Sequence, residues 1–335
     1  MVALSEILSF NAQINSSFPP GPVALFVGAT SGIGAATLKA FAKYTVKPRA
    51  YFVGRSKEAA DAIIAECRTL NPEGEYIFIA ADVSLIKVVD EVCTEIQARE
   101  PYLNILFLSQ GVARFDRPVT AENIHLVGAL AHYSRIRFMT RLLPLLQATP
   151  GHRRVVTVGG GGFEGPLDTS DFQALHIPLE KLRGHLITLI TLGLEAVAKD
   201  APNVSFIHDY PGAVDTPLTR TVLSVMNEGA AIDGGPVPDL ITAEESGERH
   251  VYLLTSPRYP PAQGGEDKAF LLGESEVIVG TNGKVGSGVY TIGFEGESAS
   301  PETLEFLAGL RKEGMVERVW KHTEDEFVRI TGERA

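Results

Sequence analysis

Cysteine is nearly absent: 335 residues hold only Cys67 and Cys93, too few for a disulfide framework. Both fall in stretches of helical periodicity, which predicts reduced, buried thiols and a cytoplasmic protein. Also missing are a basic N-terminal segment leading into an apolar run and any apolar stretch near the roughly 20 residues that a membrane span needs. The longest candidate, Leu186 to Ala198, is broken by Thr188, Thr191, Gly193 and Glu195. Positive charge is scarce, with 30 Lys and Arg against 41 Asp and Glu and a formal net charge of −11. That sign opposes a nucleic-acid backbone and leaves a small molecule as the expected partner, with neither nucleic acid nor membrane. The eight histidines contain no His-x-x-x-His pair, the cysteines cannot form a zinc cluster, and Gly-x-Ser-x-Gly does not occur. Metal-dependent and serine-elbow hydrolysis therefore have no support.

What the chain does contain is alternation. Residues 1–21 form a lead-in, with an amphipathic helix over 3–17 closed by Phe18-Pro19-Pro20-Gly21-Pro22, which no helix survives. From residue 22 onward, short apolar strands at 23–27, 50–53, 76–80, 105–108, 154–158 and 204–208 are separated by helical stretches at 35–44, 57–70, 86–99, 123–146 and 179–199. Strands of this kind between helices predict an α/β, doubly wound parallel sheet of Rossmann type in a single domain over 22–335, with ligands at the carboxyl ends of the strands. Beyond Pro211 the pattern loosens. Gly- and Pro-rich stretches at 229–238 and 257–288 flank a helix at 243–254, and a C-terminal extension beginning near residue 257 ends in helices at 302–313 and 315–330.

Between the first strand and its helix stands Gly28-Ala29-Thr30-Ser31-Gly32-Ile33-Gly34. Glycines there permit a tight turn and close backbone approach, and free N–H groups at a helix start suit a pyrophosphate, so Gly28, Thr30, Ser31, Gly32, Ile33 and Gly34 are assigned to a dinucleotide. The second strand ends in Gly54-Arg55-Ser56 rather than in an acid. A guanidinium at that place recognises a phosphate on the ribose, so NADP(H) is the expected cofactor, with Lys57 adding charge.

These residues resemble the short-chain dehydrogenase/reductase family, and the likeness runs over roughly residues 22–260. Asp82-Val83 is similar to that family's adenine-contacting pair, Ser109 and Gly111 stand in place of its Asn-Asn-Ala-Gly, and Pro211-Gly212 with Thr216 looks like the segment bordering the nicotinamide. The end of the chain around Trp320 is similar to longer, retinol-dehydrogenase-like members, and the whole looks most like fungal members of natural-product pathways. The resemblance implies a homodimer paired through the helices after the fourth and fifth strands, unless the long C-terminal region covers that face.

The family's proton relay of Ser, Tyr, Lys and Asn is not matched. No tyrosine anywhere is followed four residues later by lysine, the helix that should open with that motif reads Leu179-Glu180-Lys181-Leu182-Arg183-Gly184-His185, Gly160 of a tetraglycine stands at the Ser position, and Ala131 falls near the Asn. A positioned general acid contributes ~10²–10⁴-fold to such chemistry. Substitutes are sought in His185, near the missing Lys, and in Tyr133, with His132 beside it. The tetraglycine is expected to enlarge the pocket and admit backbone N–H groups to a substrate oxygen. Three readings stay open: an NADP(H)-dependent oxidoreductase of apolar small molecules with a non-standard proton donor, a non-redox isomerase, dehydratase or cyclase on the same scaffold, and a non-catalytic NADP(H)-binding protein.

Overall fold

The computed structural model describes residues 2–227, 239–264 and 276–334. The lead-in forms two helices, α1 (Leu4–Asn11) and α2 (Ile14–Ser17), rather than one. It is fastened to the body: Ile7 and Ile14 are buried in the core, and Asn11 Nδ2 donates to Glu248 Oε2 at 2.8 Å.

The core then alternates β1 (Val23–Val27), α3 (Gly32–Tyr44), β2 (Arg49–Gly54), α4 (Lys57–Leu70), β3 (Glu75–Ala80), α5 (Ile86–Arg99) and β4 (Ile105–Leu108). A helical turn α6 (Leu126–Gly128), a π turn (Ala129–Tyr133) and α7 (Ser134–Ala148) follow as one rod, then β5 (Arg154–Val158), α8 (Leu179–Ala198), β6 (Ser205–Asp209), α9 (Pro217–Asn227) and α10 (Ala243–Thr255). The chain closes with β7 (Val289–Ile292), α11 (Pro301–Lys312) and α12 (Met315–Thr331).

All seven strands run parallel in the order β3-β2-β1-β4-β5-β6-β7. Every residue of β1, β4, β5, β6 and β7 is buried, as strands covered by helices on both faces must be. The order reverses between β1 and β4, so the carboxyl ends of these two strands diverge into a crevice. Six strands were expected; β7 is the seventh, and α9 is likewise additional. Of the two Gly- and Pro-rich stretches expected as loops, residues 229–238 and 265–275 lie outside the described residues. Both cysteines are unbridged and buried, and burial pushes the Cys67 thiol up to about 12. No helix among the described residues is long and apolar enough to cross a membrane.

The face offered for pairing is occupied by the chain itself. Leu186, Leu189 and Leu192 of α8 pack in one cluster with Leu307 and Leu310 of α11 and Met315, Val316 and Val319 of α12. A homodimer through this face would have to displace both helices. Deleting residues 301–335 is accordingly expected to uncover an apolar surface and drive self-association, read by light scattering. A truncated chain that stays dispersed at the molar mass of a single copy would contradict this account of the extension.

Candidate active site

The carboxyl ends of the central strands open on a cavity of about 680 Å³. All fourteen residues assigned to the cofactor line it: Gly28, Thr30, Ser31, Gly32, Ile33, Gly34, Arg55, Asp82, Val83, Ser109, Gly111, Pro211, Gly212 and Thr216. The loop after β1 is seated by hydrogen bonds from Gly28 N and Ala29 N to Val53 O at 3.0 and 3.2 Å. Its partner across the crevice, Ser109, donates from N and Oγ to Val27 O at 2.9 and 3.0 Å.

Two glycines are required by space. Gly28 has φ +81°, and a Cβ there would lie 2.6 Å from Gln110 N; a Cβ on Gly34 would lie 2.5 Å from Gly28 O and from Ser109 Oγ. Ser31, at the start of α3, makes no side-chain cap, and the first N–H groups of a helix have no partners within it. The positive end of the α3 dipole and these donors are thus left facing the cavity, a cradle for a diphosphate. At the end of β2, Arg55 is exposed and forms no hydrogen bond or ion pair with a described residue, whereas Lys57 lies 3.9 Å from Asp61. Across β3, exposed Asp82 accepts a hydrogen bond from Ser84 N at 3.1 Å. The donors, the glycine cradle and the unpaired guanidinium fit a phosphorylated adenine dinucleotide.

The two proton-donor candidates are elsewhere. His185 is fully buried and does not line the cavity. Its Nδ1 accepts from Asp168 N at 3.2 Å and its Nε2 bonds Phe172 O at 3.1 Å, so both ring nitrogens are spent on holding the loop before α8. Burial lowers its pKa and keeps the ring neutral. Tyr133 is also fully buried and off the cavity, its hydroxyl 2.7 Å from Nε2 of His322 on α12, and burial pushes that phenol up. His132 bonds Thr323 Oγ1 at 2.8 Å on the same helix. These residues fasten the C-terminal extension to the body. The π turn Ala129–Tyr133 explains the miss, because an extra residue in the helical repeat rotates the following residues away from the phase that a regular helix predicts.

The tetraglycine also acts otherwise than expected. Only Gly159 of the four reaches the cavity wall. A Cβ on Gly159 would lie 2.5 Å from His208 Nε2, one on Gly160 would meet the end of Ile187, and one on Gly161 would run into His208 O. The glycines let the loop lie flat on β6; the space that their missing side chains leave is filled by protein. The loop is held there by a directed chain of bonds: Gly160 N donates to His208 Nε2 at 3.1 Å, so His208 Nδ1 donates to Thr191 Oγ1 at 2.9 Å and Thr191 donates to Glu164 Oε1 at 2.7 Å.

What does stand at the reaction end is arginine. Arg135, on α7 just beyond the π turn, and Arg183, on the first turns of α8, both line the cavity, with Gln110, Tyr210 and Val158. Arg183 lies over the rings of Phe163 and Tyr210, 4.7 and 5.6 Å from their centroids. Arg135 was readable as a charge in phase with the buried stripe Met139, Leu142 and Leu146; Arg183 carried no such signal.

The sequence profile described as short chain dehydrogenase matches residues 22–163. Oxidoreductase AN1596 of Emericella nidulans is 39% identical over 329 residues, 97% of either chain. The short-chain dehydrogenase/reductase SAT2 of Stachybotrys chartarum is 30% identical over 329 residues, 90% of either chain. Among solved structures, an alcohol dehydrogenase from the archaeon Thermococcus sibiricus, complexed with 5-hydroxy-NADP, aligns at a TM-score of 0.51 and 21% identity, over 70% of this chain and 90% of its own, a likeness of fold alone. With near full-length relatives at this identity and the sheet, crevice and glycine cradle in place, the chain belongs to the short-chain dehydrogenase/reductase family of oxidoreductases.

Proposed function

We propose that the protein is an NADP(H)-dependent oxidoreductase acting on an apolar small molecule of fungal secondary metabolism, with its proton supplied by a route other than the family's tyrosine and lysine. One observation carries the reading: the chain has no Tyr-x-x-x-Lys, and a cavity whose dinucleotide end is complete has no histidine among the described residues of its walls. A bound nicotinamide would supply the hydride. The residues of this chain would hold the diphosphate on the start of α3, the ribose phosphate on Arg55 and the nicotinamide against Pro211-Gly212. The phosphorylated cofactor is favoured because Arg55 stands where an acid would favour the unphosphorylated one, and the Thermococcus sibiricus relative in fold is described with an NADP derivative.

A ketone accepting hydride yields a localised alkoxide that needs prompt protonation; an enone yields a delocalised enolate and an iminium yields a neutral amine. The latter two are the substrate classes that tolerate the lost tyrosine. Stopped-flow absorbance of NADPH with panels of ketones, enones and imines tests this. Oxidation with an enone or imine and not with simple ketones is expected, and indifference to all three would count against the reading.

Arg55→Ala gives a separate check on the cofactor. A charge-assisted hydrogen bond is worth about 1.5–3 kcal/mol, so the variant should bind NADPH roughly 10- to 100-fold more weakly with little change toward NADH. Equal losses for both nucleotides, measured by calorimetry, would remove Arg55 from phosphate recognition.

A further inference from the structure

We propose that Arg135 makes the reaction end of the cavity a site for an anionic oxygen, so that the substrate is an apolar molecule carrying a carboxylate or an enolate. This rests on the oxidoreductase reading above and narrows its substrate class.

Arg135 is 4% exposed and lies between the ends of β4 and β5. A guanidinium has five N–H donors. Nε donates to Leu130 O at 3.1 Å, Nη1 to Thr157 Oγ1 and Val158 O, and Nη2 to Gln110 O at 2.7 Å. Four donors are satisfied, and one Nη2 hydrogen is left without an acceptor among the described residues. All four acceptors are neutral, and Arg135 forms no ion pair with a described carboxylate. That sets it apart from Arg137, two residues on and buried, whose guanidinium is clamped by both oxygens of Asp90 at 2.7 and 2.8 Å. Burial lowers the Arg135 pKa to about 10, which still leaves it charged at neutral pH. Asp209, a buried carboxylate at the end of β6, acts on Arg135 from a distance and favours its charge, but it forms no ion pair with it and is bonded instead to His250 Nε2 at 3.0 Å. A buried cation whose direct partners are all neutral is an incomplete arrangement, and an anion brought to it interacts far more strongly than it would in water.

The lining as a whole points the same way. Three arginines face the cavity (Arg55, Arg135 and Arg183), while Asp82, beyond the end of β3, is the one described carboxylate on its walls. This holds in a chain of net charge −11. The cradle at α3 and Arg55 account for the phosphates of a dinucleotide; Arg135, bonded to the carboxyl end of β5, is not needed for them. The same charge disfavours a cationic iminium, so of the two classes above the enone, whose reduction places negative charge on oxygen, is the one that the site accommodates.

The test uses the full chain saturated with NADPH, whose nicotinamide is uncharged, and two probes of equal length: decanoate and decanamide, titrated by calorimetry. Decanoate is expected to bind at least about 10-fold more tightly, from one charge-assisted hydrogen bond. Arg135→Met should bring the two affinities to within about 2-fold, and Arg135→Lys should restore part of the difference. Equal affinities in the wild type, or a preference that survives Arg135→Met, would overturn the assignment. Arg183→Met, at an exposed position, keeps the question open to test even where Arg135→Met does not fold: a retained preference supports Arg135, and its collapse transfers the role to Arg183 and refutes the proposal. Failure of NADPH itself to bind appears in the first titration and is a failure of the cofactor reading, distinct from equal binding of the probes.

Discussion

Gly34→Ala is expected to cripple nucleotide binding while leaving the sheet intact. The new methyl group would lie 2.5 Å from Gly28 O and Ser109 Oγ and 2.9 Å from Ala29 Cα. Two of these atoms are backbone, and Gly28 is anchored to Val53 O, so the loop cannot move aside without leaving the end of β2. Overpacking a rigid site costs roughly 1–3 kcal/mol, and each 1.4 kcal/mol is about tenfold in a binding constant. Loss of NADPH affinity by roughly 10- to 100-fold follows, with a drop in thermal midpoint of a few degrees for a chain of this size. A variant at Gly309 of α11, where an added Cβ meets nothing within 4 Å, serves as the control and should bind normally. Unchanged affinity in Gly34→Ala would mean that the diphosphate does not use this loop.

Below about pH 6 the protein is expected to lose stability steeply. His132 and His208 are buried, and burial holds both near a pKa of about 3, with His322 adding to the effect on His132 and Arg135 to that on His208. Unfolded, each titrates at about 6.5. The sign follows from proton uptake: above pH 6.5 both states carry neutral rings and nothing is lost. As the pH falls from 6.5 toward 3 only the unfolded state takes up the protons, so stability declines by roughly 1 kcal/mol per histidine per pH unit. By pH 5 the two together remove on the order of 3 kcal/mol, a large part of the 5–15 kcal/mol that a domain typically holds. Glu164 and Glu195, whose pKa values burial raises, act in the opposite sense, because the folded state takes up their protons first as the pH drops.

The histidines also locate the first damage. Protonating His208 Nε2 forfeits the bond from Gly160 N, and protonating the His132 ring charges the contact with Thr323 on α12. Near-ultraviolet circular dichroism across pH 5–7.5 should show the loss, and His208→Gln should make the decline shallower. A thermal midpoint that stays flat from pH 7.5 to 5 would refute the assignment of these rings as buried and neutral.

The halves of the site differ in how far the sequence could disclose them. The cofactor end is local: strand β1, loop and α3 are contiguous, the glycine spacing is set by a clash that any such loop must avoid, and Arg55 follows its own strand directly. The reaction end is assembled from α7, α8 and the loop after β5, and its geometry turns on a π turn and on a loop laid flat over β6, neither of which leaves a periodic trace. His185 and Tyr133 carry proton-donor chemistry and stand near positions of the missing relay in the sequence. Both are buried side chains with structural partners, the ordinary fate of a polar residue on an apolar helix.

Two elements escaped notice for local reasons. Strand β7 has only Val289, Tyr290, Thr291 and Ile292 between Gly288 and Gly293, and a four-residue run with a polar middle carries too little pattern to be recognised. It is recruited by pairing, through Phe206 N to Gly288 O and Tyr210 N to Ile292 O, both at 2.9 Å. Helix α9 did have a readable start, Pro217 at its first position after Thr216, whose Oγ1 accepts from Thr219 N at 3.2 Å. The covering of α8 by α11 and α12 could not be foreseen, because an apolar stripe says that something packs on it without saying what.

The central claim is that the crevice between β1 and β4 binds a phosphorylated nicotinamide nucleotide beside a reaction end stripped of the family's proton relay. Calorimetric titration of the full chain with NADPH and NADH tests the first half most directly. One equivalent of NADPH bound at least about 10-fold more tightly than NADH is the predicted result. No measurable heat or competition from either nucleotide would contradict the account.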